Sequence, residues 1–438
     1  MRRSDLPIPI LWLVAGGLFY LVLATAPEVV VRQRFLVIPG GWWRALALLT
    51  LGIGVVGGTA YLWGRSRRPL LAMRFALAAG THLLMIAAVL ITIYPAVYLV
   101  AVSLNRANSL TGALPREGSV LVRAGVIPDP SAFSWVQYQK VLGATHLLWF
   151  QWVFVAIAVV AVAWLVGVAV IHRQRPMSAT RLDRRRRWGG LALFASLAAL
   201  VLTITPGQFY SVGASGERVG VSGERMVVLF IRNTLLISGM TGLFAVAIAT
   251  TAGYAFARMR FDGRYGTLMT FVFVQMFPGF MALVAIYYLM SYLDLLNTFT
   301  GLILAYSGGA IAFSSWIFKG YLESVSPSLE EAALVDGATR WGAFVRIILP
   351  ISVPMLLFIF LLQFIGTYSE FILANTLLIG IENWTVGIGL RSFTQRAFAT
   401  QWGAMAASAV LGSLPILAIF YAFQDALTGQ YQSGGVKG

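Results

Sequence analysis

The sequence predicts an all-α, polytopic membrane protein, and three observations carry that prediction. The 438 residues are 59% hydrophobic and only 11% charged, with mean hydropathy +0.80. Soluble domains hold about 45–50% apolar and about 25% charged residues. The apolar residues gather in runs near the roughly 20 residues that a helix needs to cross a bilayer. These runs are continuous, unlike the alternating pattern of a membrane β-barrel. Finally, the arginines cluster in alternate loops, as orientation determinants do.

The net charge of +16 would suggest a nucleic-acid partner in a soluble chain. Here the basic residues sit at membrane edges, so anionic lipid is the expected partner and nucleic acid is not. The chain has no cysteine, which excludes disulfides, thiol chemistry and cysteine-ligated metal. His82, His146 and His172 are scattered without metal-ligand spacing, so no metal site is expected.

Ten spans are predicted. The first, about residues 6–26, follows Met1-Arg2-Arg3 and exceeds the roughly 7–15-residue core of a signal peptide. We therefore read it as retained, although Ala24-Thr25-Ala26 is compatible with cleavage. The second, about 42–63, has a Trp at each end and stops at Arg65-Ser66-Arg67-Arg68. The third covers about 75–103. The polar, Gly- and Pro-bearing segment 104–145 is expected to be an outside domain or folded loop. The fourth span is about 147–171, and the basic segment 173–188 with Arg184-Arg185-Arg186-Arg187 follows. The fifth is about 189–205, and an outside loop runs over 206–225.

The sixth span, about 227–257, ends at Arg258, Arg260 and Arg264. The seventh, about 268–290, is interrupted by Pro278-Gly279. The eighth is about 300–318, the ninth 351–373 and the tenth 404–423. Both termini then fall in the cytoplasm. The basic clusters at 2–3, 65–68, 173–187, 258–264 and 340–346 all fall on that same side.

One loop between spans is too elaborate for a connection. In Ser326 to Pro350, Ser328 can cap a helix with Glu331 completing a capping box. Alternatively Ser326 and Pro327 start the helix a turn earlier. Glu330 and Glu331 suit its first turn. Gly337 can end it in the left-handed conformation. Thr339 can cap a second helix, with Arg346 in its last turn and Pro350 as its stop. Ala332, Ala333 and Ala338 are expected to keep one side smooth for a partner, with the two glutamates and Asp336 charged at its rim.

The order Glu331-Ala332-Ala333, three residues, Gly337, nine residues, Ile347-Ile348-Leu349-Pro350 resembles the EAA loop of ABC importer permeases. The resemblance extends to permeases of the maltose-transporter MalG type. It includes Thr250 to Phe261, Gln275-Met276-Phe277-Pro278 and the tail Gly435-Val436-Lys437-Gly438. It is weak over about 71–103 and good over about 232–438.

The resemblance implies a six-helix, MetI-like permease core with four additional transmembrane helices. The implied division is an extra N-terminal pair (1–70), a first core helix (71–103), outside loops plus an inserted pair (104–225), the rest of the core (226–427, EAA loop 321–350) and a cytoplasmic tail (428–438). It implies that Glu330, Glu331, Ala332, Ala333, Asp336, Gly337 and Ala338 contact an ATPase subunit, and that Gly435, Val436, Lys437 and Gly438 reach between two such subunits. The implied partners are a second, MalF-like permease, a dimer of MalK-like ATPases, an extracytoplasmic sugar-binding protein and membrane lipid. The implied cargo is a carbohydrate: maltose or maltodextrin, trehalose or a longer α-glucoside. The implied location is a prokaryotic plasma membrane.

The sequence holds no Gly-x-x-x-x-Gly-Lys-Ser/Thr loop, so ATP and Mg are expected on the partner subunit and no catalytic residue is assigned here. Gln275, Tyr368 and Glu370 are candidates for the substrate path, with cross-helix bonding the alternative for Gln275 and Tyr368, and a helix-end acid near water or paired at the permease interface the alternative for Glu370. Asn233 and Gln363 either line it too or bond across helices. Two alternatives remain: an ABC permease for another solute, and an ion-driven secondary transporter. The latter usually carries paired intramembrane acids and repeated halves, and neither is visible.

Overall fold

A computed structural model describes residues 8–25, 30–32, 35–37, 41–67, 69–108, 119–174, 179–212, 218–220, 223–276, 279–394 and 400–427. The chain forms two compact units, Met1–Gln139 with Ala399–Val410, and Lys140–Phe398 with Leu411–Gly438.

In the first unit, α1 (Ile8–Thr25) is followed by a short antiparallel hairpin, β1 (Val30–Arg32) with β2 (Phe35–Val37). Then come α2 (Gly41–Arg67) and α3 (Ala72–Ser103). The three helices share a core of Leu11, Ala15, Val56, Ala79, Leu83 and Ile86. Segment 104–145 is ordered where described, with two short helices, α4 (Val120–Arg123) and α5 (Val136–Leu142). Ser119 caps α4, and the Tyr94 hydroxyl donates to the Ala124 carbonyl (2.6 Å). Gln137 is fully buried and donates to the carbonyls of Asn105 and Arg106 (3.2 and 3.3 Å). A buried amide needs such partners, because an unpaired one costs about 1–3 kcal/mol. The first turn of the final helix joins this unit through Gly403 N–H to Asn108 Oδ1 (3.0 Å).

The second unit opens with α6 (Gln151–Gln174) and α7 (Ala179–Leu202). These pack closely: a Cβ on Gly189 would lie 2.8 Å from Leu165 Cδ2. At their shared end, Gln208 Nε2 donates to Gln151 Oε1 (2.6 Å) and to the His146 carbonyl (2.9 Å). The His146 ring stacks on Tyr210 at 4.0 Å, in the small hairpin of β3 (Tyr210–Val212) and β4 (Arg218–Gly220). The basic run Arg184–Arg187 is helical, forming the early turns of α7.

The remaining helices follow. They are α8 (Val227–Arg258), α9 (Arg264–Met276), α10 (Leu283–Tyr292), α11 (Phe299–Ser324), α12 (Ser328–Val335), α13 (Arg340–Ala343), α14 (Leu349–Ser369), α15 (Ile372–Leu377), α16 (Val386–Ser392) and α17 (Trp402–Leu427). Helix α8 lies against both α11 and α14. Gly253 and Gly242 allow this. A Cβ at 253 would meet Phe318 Cδ1 at 2.9 Å and the Ser315 carbonyl at 3.1 Å, and one at 242 would meet Phe360 Cδ2 at 2.9 Å. Small residues that permit close backbone approach are the usual packing device between membrane helices.

Seven helical segments, in α2, α3, α6, α8, α11, α13 through α14 and α17, are long and apolar enough to cross a membrane among the described residues. The other three predicted spans are helical but differ in build. The first has a short apolar core, Ile10–Val22. The fifth is the later, apolar part of α7, whose earlier turns carry the arginine run. The seventh is divided into α9 and α10, with a 3-10 turn at Gly279–Ala282 between them. Pro278 itself lies outside the described residues.

Candidate functional site

Helix α12 is built as its sequence suggests, with one difference at its start. Ser328 is its first residue and does not cap it. Ser326 Oγ instead meets Ser328 Oγ at 2.7 Å, and the Pro327 carbonyl accepts from the amides of Glu330 and Glu331. The helix therefore begins at Ser328 with Pro327 at its N-cap, one residue before a Ser328-capped helix would start rather than a full turn. At the other end Gly337 takes φ +84°. The Gly337 amide donates to the Leu334 carbonyl (3.1 Å) and the Ala338 amide to the Ala333 carbonyl (2.9 Å). This is the paired termination that a left-handed glycine makes possible. Thr339 Oγ1 then accepts from the Gly342 amide (3.0 Å), capping α13.

Pro350 does not stop the second helix. The backbone runs from α13 through a π turn at Phe344–Ile348 directly into α14. Proline removes an amide donor and crowds the carbonyl four residues back. A widened π turn relieves both while keeping the helix continuous.

The two acids at the start of α12 point in opposite directions. Glu331 is exposed, whereas Glu330 is 9% exposed. Arg258 Nε donates to Glu330 Oε1 at 2.6 Å and the Tyr254 hydroxyl to Oε2 at 2.9 Å. Arg258 also donates to the Val325 carbonyl (2.7 Å). Removing one partner from a buried pair of this kind costs about 3 kcal/mol, since the other charge is left unpaired. The alanines divide likewise: Ala332 is exposed and Ala333 buried, with Ala338 half-buried. The expected single smooth face, with both glutamates on its rim, is therefore corrected. A helix turns about 100° per residue, which points Glu330 and Ala333 inward and leaves Glu331 and Ala332 outward.

Beneath α12, Tyr254 packs with Phe318, Leu322, Phe344, Ile348 and Ile359. The outward side carries Leu329, Leu334, Val335, Asp336 and Gly337, with Val335 87% exposed, and Trp341 is exposed on the helix that follows. The α12 segment thus has a fixed inner side and a free outer side bearing apolar residues.

Of the candidate substrate-path residues, Gln275 is exposed near the end of α9, while Tyr368 and Glu370, at one end of α14, are tied to different partners. The Tyr368 hydroxyl donates to the Gly412 carbonyl (2.7 Å), tying α14 to α17. Glu370 accepts from the Tyr306 hydroxyl and from the amides of Leu373 (2.9 Å) and Ala374 (3.2 Å), so it caps α15. Asn233 donates to the carbonyls of Glu382 (2.8 Å) and Trp384 (3.0 Å), and Gln363 to Ser314 Oγ (3.0 Å). Gly435, Val436, Lys437 and Gly438 lie outside the described residues. No cluster of metal-ligating side chains occurs among the described residues.

In the sequence alone Arg258 reads only as an orientation marker and Tyr254 has no assigned role. Their spacing of four places them on one side of α8, which was the available signal.

Fold and site together define a multi-pass helical membrane protein with an anchored helix pair built between two of its spans. Comparison narrows that class. Residues 226–431 match the family described as binding-protein-dependent transport system inner membrane component. The maltose/maltodextrin transport system permease protein MalG of Yersinia pestis is 33% identical over 365 residues, covering 82% of this chain and 93% of that protein. MalG of Vibrio vulnificus (strain YJ016) is 43% identical over 218 residues, 48% of this chain and 73% of that protein. MalG of Escherichia coli (strain K12) is 41% identical over the same length. A crystal structure of a bacterial ABC transporter involved in import of the acidic polysaccharide alginate aligns at TM-score 0.42 and 20% identity, over 57% of this chain and 98% of that one. The chain belongs to the family of binding-protein-dependent transport system inner membrane components.

Proposed function

We propose that this chain is a transmembrane permease subunit of an ATP-binding-cassette importer for carbohydrates of the maltose/maltodextrin or trehalose class. It forms half of the translocation pathway and couples to a separate ATPase through α12. The observation that carries this is the joint one: 33–43% identity to MalG permeases in a chain whose EAA stretch is a fixed helix with a free outer side.

The partners are a second, MalF-like permease, two MalK-like ATPase subunits and an extracytoplasmic sugar-binding protein. ATP and Mg are held by the ATPases. Closure of the ATPase pair pushes on the outer side of α12 through Glu331, Ala332, Asp336 and Gly337. The membrane portion then exchanges an inward-facing for an outward-facing cavity. Nucleotide and sugar thus bias one two-state element from opposite sides. The tail Gly435 to Gly438 completes the contact with the ATPases. The sugar path passes Gln275, while Tyr368 and Glu370 hold the wall by fixing α14 to α17 and α15.

Purification of the intact complex from membranes tests this. An ATPase, a second permease and a sugar-binding protein should co-elute, and maltose with the binding protein should stimulate ATP hydrolysis. Sugar uptake by this chain alone, abolished by an uncoupler at constant ATP, would sink the proposal.

A further inference from the structure

The inward acid of the EAA stretch has a function of its own. Helix α12 is flanked by two non-helical joints: Val325, extended at φ −86°, ψ 127°, and Gly337 at φ +84°. A short helix on two such joints would swing when pushed, and the joints would absorb the displacement. The structure removes that slack with a third attachment. Both carboxylate oxygens of Glu330 are held by α8, through Arg258 Nε at 2.6 Å and the Tyr254 hydroxyl at 2.9 Å. Arg258 also holds the Val325 carbonyl (2.7 Å), bracing the first joint itself. The Arg258–Glu330 pair is 13% and 11% exposed at its side chains, so solvent and salt screen it little. Charge-assisted bonds of this length are stiffer and stronger than neutral ones.

Helix α8 is the element best placed to receive a push. It packs along α11 and α14 with close backbone approaches at Gly253 and Gly242. Tyr254 also belongs to the core that contains Phe318, Phe344 and Ile359. Displacement of α8 therefore moves side chains from three neighbouring helical segments.

We propose that Tyr254, Arg258 and Glu330 form a clamp that converts movement of α12 into movement of α8, making Glu330 a positioning residue for coupling rather than a contact to the ATPase. Glu331, its exposed neighbour, is left for that contact. The proposal rests on the importer reading given above.

The test uses the whole complex, with its co-purified subunits, reconstituted in vesicles. Two quantities are read: radiolabelled maltose taken up per ATP hydrolysed, and the fraction of this chain retained in the complex. In assembled Glu330→Gln and Arg258→Gln complexes, uptake per ATP should fall about tenfold, the scale of one charge-assisted hydrogen bond. The double variant should fall by less than the product of the two single losses, because the changes share the Arg258–Glu330 interaction. Arg258→Lys should recover only part of the loss, since a lysine lacks the forked geometry that reaches Glu330 and Val325 together.

Unchanged uptake per ATP in the assembled single variants, or losses that multiply in the double, would overturn the clamp. Should either charge variant fail to assemble, Tyr254→Phe decides. It removes one hydroxyl and keeps the ring in its packed site, so lower coupling at full assembly supports the clamp and unchanged coupling overturns it. A wild-type complex that shows no ATP-driven uptake of any sugar overturns the importer reading and the clamp with it.

Discussion

Gly337 takes φ +84°, and a Cβ there would meet nothing within 4 Å. Its requirement is therefore conformational rather than steric. A β-branched residue in the left-handed region costs about 1–2 kcal/mol. Gly337→Val should lower the thermal stability of the α12 region by that amount, while Gly337→Asn should cost less. Hydrogen exchange at the amides of Gly337 and Ala338 would show the loosened helix end. Glu370 makes the opposite case, a residue whose role lies in its side chain. Glu370→Ala removes the acceptor for two α15 amides and for the Tyr306 hydroxyl, at about 1–2 kcal/mol. Thermal unfolding in detergent should record that loss. The ranking of sugars by uptake should stay the same, and a changed ranking would mean that Glu370 touches substrate.

At this scale the sequence was legible wherever a side chain acts on its own neighbourhood. Gly337 and Thr339 could be placed because helix ends have local rules. The partnership of Glu330 with Tyr254 and Arg258 spans 76 and 72 positions. No periodicity encodes a bond of that reach, so the two acids looked equivalent.

Among the elements, α8 and α11 depend on close approach. A Cβ on Gly253 would sit 2.9 Å from Phe318 and 3.1 Å from a carbonyl; the ring can turn but the backbone cannot easily yield. Gly253→Leu should destabilise the pair by about 1–3 kcal/mol through overpacking, read as a lower unfolding temperature. Gly308 lies on α11 with nothing within 4 Å of its Cβ position, and Gly308→Ala should be tolerated. The existence of the helices was legible from apolar run length. Two features were not. The π turn at Phe344–Ile348 is a response to Pro350 that keeps the helix going, whereas proline read alone signals a stop. The helical continuation of the arginine run into α7 was hidden because charge says which side a segment lies on and nothing about its backbone. The described parts of polar segment 104–145, read as an outside domain or folded loop, are held by side-chain-to-carbonyl bonds from Tyr94 and Gln137 that hydropathy does not register.

For the whole molecule, ten predicted spans imply that the basic loops and α12 lie on one side. The chain has no cysteine, so single cysteines can report sidedness without a background. Cysteines at Arg185 and Asp336 should react with a membrane-impermeant maleimide only from the cytoplasm. One at Trp135, in the segment after α3, should react only from outside. Labelling of all three from the same side would overturn the topology.

The proposed topology matters because it would put α12 on the side of the proposed ATPase subunit. Nucleotide-dependent cross-linking from the outer side of α12 tests the coupling role most directly. A cysteine replacing Val335, 87% exposed, is predicted to cross-link to the ATPase subunit with an efficiency that changes on ATP binding, while one replacing Ala343, 1% exposed, is predicted to give no product. An intact, transport-active complex in which position 335 cross-links to no ATPase in any nucleotide state would contradict the assignment of α12 as the coupling element.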